Sequence, residues 1–386
     1  MILLLSRRAR DLPRSAIRTA AERAGQTRDV VRLDIGDPDF ATPPHVVEAV
    51  ARAATGGLTH YGPSAGLPSL RAALAARLIQ DGASAPERVV VTVGAAGALF
   101  CGLLALTDPG DEVLLPDPGW AGLPSLVHAA GLASSFYPLD PATGFEPDLD
   151  ALDAAIGPRT RVVVLNTPGN PTGAVFSRRA VERVAEITAS RGVWLMADEC
   201  YEQLVFEGEH VSVAESSPAP ETVLRISSFS KTYAMTGWRV GYAVGDPAVI
   251  DAIARIQEAE LLCPPTPTQK GAEAALLGPQ DVVATMRDAY RARRDLAMAT
   301  LDSAGIPFVR PGGAFYLLAG TGGEPSLAFA DRLLAEQRVA VVAGAAFGAG
   351  GEGFVRVSLA AYEDALARGL GRLADAVPPS LGATPR

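Results

Sequence analysis

The chain has 386 residues, 48% of them hydrophobic and 20% charged, with a formal net charge of -9. That composition can bury a large core and excludes a disordered chain, and the acidic balance disfavours a nucleic-acid-binding or anionic-membrane surface. At roughly 100–200 residues per domain, the length allows two domains, or three.

Taken in chain order, residues 14–25 read as a short amphipathic helix closed by Gly25, and 31–36 as a strand entering the turn-rich Gly36-Asp37-Pro38-Asp39-Phe40. Helical patterns follow at 44–54 and 67–81. From residue 87 short β-branched runs alternate with helices: strands at 89–93, 112–115, 161–165, 193–197, 223–226 and 239–244, with helices at 94–106, 120–130 and 177–191. This alternation predicts an α/β fold with a mostly parallel sheet covered on both faces. In such sheets, ligands sit outside the carboxyl ends of the strands. A long Arg-rich helix at 282–304 leads into an α+β segment, with a Pro311-Gly312-Gly313 turn, a helix at 325–337, strands near 339–342 and 354–359, and a helix at 362–376. The last ten residues read as frayed.

Only two of the 34 Lys and Arg residues are lysines, Lys231 and Lys270. Where Arg serves almost everywhere, a retained Lys invites the question of what Arg cannot do. Cys101, Cys200 and Cys263 are widely spaced, odd in number and without CxxC or metal-ligand spacing, which predicts a reduced, cytoplasmic enzyme with no metal. The opening Met1–Leu5 run is too short for a signal peptide, and no apolar run approaches the ~20 residues that span a bilayer.

Four segments carry chemistry. Ser228-Phe229-Ser230-Lys231-Thr232 follows a predicted strand. A Lys amine can lose its proton and form a Schiff base, and the flanking hydroxyls and Arg239 suit a phosphate. Taken alone, Lys231 reads equally as a surface lysine in a polar loop. Asp198 ends a predicted strand, where a buried carboxylate needs donors or a cation such as a protonated pyridine nitrogen. An isolated Asp there reads more readily as a helix cap. Asn166–Gly173 is a tight Pro/Gly turn that presents Asn170. Gly94-Ala95-Ala96-Gly97 opens a helix directly after a strand, an anion-binding geometry that close helix–strand packing explains as well.

Together these segments resemble the fold-type I pyridoxal-phosphate enzymes, specifically the aspartate aminotransferase-like class I/II aminotransferases. The resemblance runs from about residue 30 to 360 and keeps the family's order: Gly36–Phe40, Tyr61-Gly62, the Gly94 turn, Pro116–Trp120, Asn170–Gly173, Asp198–Tyr201, Ser228–Lys231, Arg239, Pro311–Tyr316 and Arg356. It implies an α/β large domain at 46–285, a smaller α+β domain at 286–386, and an arm at 1–45 that joins the small domain. It implies pyridoxal 5'-phosphate as cofactor, and ping-pong transfer of an amino group between an L-amino acid and a 2-oxo acid through a Schiff base on Lys231.

Under the same resemblance Asp198 partners the ring nitrogen, and Tyr201 and Asn170 hold the phenolic oxygen. Trp120 stacks on the ring, although a core Trp fits the position too. The Ala95 and Ala96 backbone, Ser228, Ser230 and Arg239 hold the phosphate, and Tyr61 reaches the site of a second copy, so a homodimer is implied. Arg356, with Gly36 and Asn170, takes the substrate α-carboxylate.

The resemblance thins at specificity. Position 96 is Ala where some aspartate-specific relatives carry Lys, and no Arg precedes Cys263-Pro264-Pro265, so acidic side chains are not expected to be favoured through either contact. Glu258 or Glu260 facing the pocket would favour a basic substrate; a solvated helix face is the favoured reading. The competing readings are a lyase, cyclase or synthase on the same cofactor, and a ligand-sensing regulator, which the acidic charge opposes.

Overall fold

The computed structural model describes residues 5–78 and 85–377. Thirteen strands are present among them: β1 (Val31–Arg32), β2 (Val89–Thr92), β3 (Glu112–Asp117), β4 (Ala133–Asp140), β5 (Glu146–Pro147), β6 (Thr160–Asn166), β7 (Trp194–Asp198), β8 (Val223–Ser228), β9 (Gly241–Val244), β10 (Tyr316–Gly320), β11 (Val339–Ala340), β12 (Val342–Ala343) and β13 (Phe354–Ser358). Eight form the central sheet, in the order β2-β9-β8-β7-β6-β3-β4-β5. The β4-β3-β6-β7-β8 pairings are parallel, whereas β9 runs antiparallel to both neighbours.

Period-2 alternation explains why both faces are covered. On β6, Val163 and Leu165 pack with the helix Arg178–Arg191, while Val162 and Val164 pack with the helices Gly94–Leu106 and Pro247–Leu261 on the other face. The helix Arg178–Arg191 starts on a Ser177 cap and ends on left-handed Gly192. The smaller α+β part holds the antiparallel sheet β10-β13-β12. Its core is continuous with Tyr201 and Leu204 from beside the central sheet, and β1 pairs with β11.

Several sequence expectations shift. Gly25 lies inside the helix Ala16–Gln26, whose cap is Thr27, because an isolated helical Gly is tolerated. The strand expected at 31–36 stops at Arg32, since Asp34–Asp37 bends into the loop that serves the site. Arg239 is left-handed and precedes β9 rather than belonging to it. The helix expected at 120–130 begins at Gly122, leaving Trp120 in the loop after β3. Strands β4 and β10 and the helices Pro247–Leu261 and Thr266–Leu277 carried no assigned signal. The end of the helix expected at 67–81 and nearly all of the tail lie outside the described residues. Among the described residues no helix is long and apolar enough to cross a membrane.

Candidate active site

A cavity of about 290 Å³ opens at the carboxyl ends of β6, β7 and β8, where Asn166, Asp198 and Ser228 are the last strand residues. Twelve of the thirteen residues singled out by sequence line it; the exception is Tyr61. The turn after β8 delivers Lys231 on a single helical turn, Phe229–Thr232, capped by the Ser228 hydroxyl. Lys231 Nζ donates to Gly36 O at 2.5 Å. Burial, assisted by the nearby Arg356 and Arg239 charges, lowers its pKa from 10.5 to about 8 against the pull of Asp37 and Cys200. A far larger fraction of the amine is therefore neutral at pH 7 than for an ordinary lysine.

Asp198 is buried and accepts from the Cys200 N–H at 3.2 Å. Burial raises its pKa while the Cys200 groups pull it back. A carboxylate in this state fits a positive N–H partner reaching in from the cavity. Tyr201, on the turn after β7, shares a hydrogen bond with Tyr316 at 3.0 Å. Burial raises the pKa of both phenols, so both remain protonated donors.

Arg356 projects from β13 and is 1% exposed. Its guanidinium lies 4.3 Å from the Tyr316 ring centroid and 4.9 Å from that of Phe347. Nη1 donates to Asn170 Oδ1 (3.0 Å) and Nη2 to Asp34 O (2.6 Å), while Nε is buried without a partner. A buried, unsatisfied guanidinium N–H at a cavity wall fits a carboxylate ligand. Asn170 is positioned by its own N–H donating to Asn166 Oδ1 at 2.9 Å. With its oxygen on Arg356, its amide nitrogen remains a donor.

The opposite end of the cavity is built for an anion. The helix Gly94–Leu106 starts immediately after β2, so its first N–H groups lack intrahelical acceptors. Gly94 has φ +69°, and a Cβ there would come within 2.4 Å of Arg239 Nη2. A Cβ on Gly241 would meet the Gly94 carbonyl carbon at 2.6 Å. The missing Cβ atoms thus let Arg239 and the helix start approach one another. Ser228 Oγ donates to Ser230 Oγ at 2.8 Å beside them. An aromatic wall (Trp120), a carboxylate for a ring nitrogen, a low-pKa amine and an anion cradle together match the donor set that pyridoxal 5'-phosphate needs.

Tyr61 stands apart, 81% exposed, in a surface cleft with Thr59, His60, Cys263 and Pro265. Neither Glu258 nor Glu260 reaches the cavity. Both are exposed, and Glu260 accepts from the Cys101 thiol at 3.7 Å. Lys270 is paired with Glu273 and Ser69 on a helix face. Sequence reasoning did not single out Tyr316, Asn166, Cys200, Leu99, Ile17 or Thr236, all of which line the cavity. Tyr316, Asn166 and Cys200 lay inside motifs already noted; nothing local marks the others.

The one cluster with three metal-capable side chains among the described residues, Glu199, Glu202 and His210, already surrounds a cation. Arg225 Nε meets Glu199 Oε2 at 2.6 Å, and its Nη2 bonds Glu202. Burial alone would raise the Glu199 pKa, but Arg225, His210 and the Val213 N–H hold it down to about 2.

The aminotransferase class I and II family profile matches residues 28–373. The aspartate/prephenate aminotransferase of Thermus thermophilus is 41% identical over 381 residues, covering 96% of this chain and 98% of that one. An aromatic-amino-acid aminotransferase of Thermococcus litoralis is 35% identical, covering 94% and 95%. Among solved structures, the Thermus thermophilus aspartate aminotransferase with maleate superposes with a TM-score of 0.93 at 40% identity, covering 97% of this chain and all of that one.

Proposed function

The chain belongs to the class I and II aminotransferase family, and we propose that its cavity holds pyridoxal 5'-phosphate on Lys231 for amino transfer between an L-amino acid and a 2-oxo acid. When bound, that group supplies an electrophilic carbonyl carbon and a ring that takes up electron density from the substrate Cα. The rest is done by the protein. Arg356, which lines the cavity, fixes the α-carboxylate through parallel guanidinium N–H donors and so orients the Cα–H bond. Lys231 Nζ, once released from the cofactor, would take that proton and deliver it to the cofactor's carbonyl carbon, a task suited to an amine whose pKa burial lowers. Asp198 keeps the ring nitrogen protonated, and Tyr201 and the Asn170 amide donate to the phenolic oxygen. The helix start at Gly94–Ala96, with Ser228, Ser230 and Arg239, holds the phosphate dianion. Tyr61, too exposed to serve its own cavity, completes the phosphate site of a second copy in a homodimer.

The observation that carries this reading is the convergence of the buried amine, the buried carboxylate and the half-satisfied guanidinium on one cavity. The test is a half-reaction: holoenzyme is mixed with one amino acid and no acceptor. Stoichiometric loss of the visible aldehyde-form absorbance with release of a 2-oxo acid is expected. Continuous product formation without acceptor means lyase chemistry instead, and a Lys231→Ala protein that still transaminates refutes the central role. The relatives named for aspartate and for aromatic amino acids leave the side-chain preference to be read from the cavity.

A further inference from the structure

Resting on that assignment of Arg356 and Lys231, we infer that the substrate side chain is neutral and apolar, and that dicarboxylic amino acids are disfavoured. The cavity lining contains three cations among the described residues, Lys231, Arg239 and Arg356, and each is already committed. Lys231 is the reacting amine. Arg239 is held at the anion cradle against Gly94, with Nη1 on Thr236 O at 2.8 Å. Arg356 is enclosed between two aromatic rings with one unsatisfied N–H edge, enough for a single carboxylate. Two of the neutral polar groups are engaged too: Thr236 Oγ1 on Asp37, and Asn166 on Asp198 O and the Asn170 N–H.

The remaining wall is Ile17, Ala96 and Leu99. Ala96 and Leu99 lie three residues apart on one face of the helix Gly94–Leu106, and Ile17 comes from the helix Ala16–Gln26. Of the arginines flanking Ile17, Arg14 lines a different cleft beside Leu327 and Arg18 is exposed. A second carboxylate would be desolvated here against methyl groups with no counter-charge.

The segment packed beside Tyr61 does not carry one within residues 257–267. The Gly62 N–H donates to Cys263 Sγ at 3.3 Å, and Thr266 Oγ1 donates to His60 O at 3.2 Å. That segment contains no Lys or Arg; it carries Glu258, Glu260 and the exposed Leu262. Within residues 56–63 and 257–267 the one basic side chain is His60. The segment around Tyr61 thus offers one imidazole and no Lys or Arg to a distal carboxylate.

The holoenzyme is titrated with two unreactive acids, maleate and 3-phenylpropionate, reading affinity from the visible spectrum and from the rise in Tm. Single-turnover rates are measured in parallel with leucine, phenylalanine and aspartate. Expected are binding of 3-phenylpropionate at least ~10-fold tighter than maleate, and a kcat/KM for leucine or phenylalanine above that for aspartate by on the order of 100-fold. An Ile17→Lys variant supplies the absent cation and narrows the binding gap by roughly 10-fold. Maleate binding as tight as 3-phenylpropionate, aspartate reacting as fast as phenylalanine, or an Ile17→Lys protein with unchanged maleate affinity overturns the inference. If no amino acid bleaches the band while the two acids still separate, the catalytic assignment has failed and the side-chain preference stands.

Discussion

Lys231 in the cofactor-free protein should titrate near pH 8. Its ammonium is buried at the end of β8 beside the like charges of Arg356 and Arg239, and the Gly36 carbonyl offsets only part of the lost hydration. The drop from 10.5 to about 8 corresponds to about 3 kcal/mol against the charged form. At pH 7 roughly one amine in ten is then neutral, against about one in three thousand for an ordinary lysine, a gain of about 300-fold in nucleophile. Because the chain has two lysines, a protein labelled with 13C-lysine gives two Cε resonances, and Lys231→Arg identifies which is which. The Lys231 resonance should move with a midpoint near pH 8, and the rate of cofactor capture should rise about tenfold per pH step below it and level off above. For a base with a depressed folded pKa, the penalty on the folded state is absent above about pH 10.5 and complete below about pH 8. Lys231→Met should therefore raise the Tm of the cofactor-free protein at pH 7. A midpoint above pH 10, or a capture rate still climbing there, refutes the desolvation argument.

Arg356→Lys loses the flat fork held between Tyr316 and Phe347, so KM for the amino acid should rise by about 10- to 100-fold with a smaller fall in kcat; an unchanged KM would move carboxylate binding elsewhere. Glu199→Gln leaves Arg225 with weakened compensation and should cost about 3–5 kcal/mol in urea unfolding at pH 7. Since the Glu199 carboxyl is held down to about 2, its contribution is present above about pH 4.5 and lost toward pH 2, so the two proteins should converge in acid. Gly36→Ala places a Cβ 2.0 Å from Tyr316 Oη and should cost about 1–3 kcal/mol. It should also weaken binding of a carboxylate inhibitor through the displaced Tyr316; an unchanged Tm would show that the loop yields freely.

The parts of the site legible in the sequence were those whose chemistry is local. Alternating β-branched runs set the parallel strands, because a sheet buried on both faces demands continuous apolar pairs such as Val162–Leu165. Lys231 stood out because Arg cannot form an imine, and Asn170 because a Pro/Gly turn after a strand leaves its amide free to point. Strand β4 was not legible: with alternate residues exposed and Pro138 near its end, it reads as a polar loop until β3 pairs with it.

What the sequence determined by itself was the inventory: the amine, the carboxylate, the guanidiniums and the order in which they occur. Tertiary structure decided what that inventory can do. Only the folded chain buries Lys231 between Arg356 and Arg239, and so sets its pKa. Only it packs Tyr316 against Tyr201, and brings Ile17 from a distant helix to the same cavity as Ala96 and Leu99. Residue type is a local property, but desolvation, field and cavity shape arise from residues far apart in the chain, and these fix both how readily the amine reacts and which side chain fits beside it.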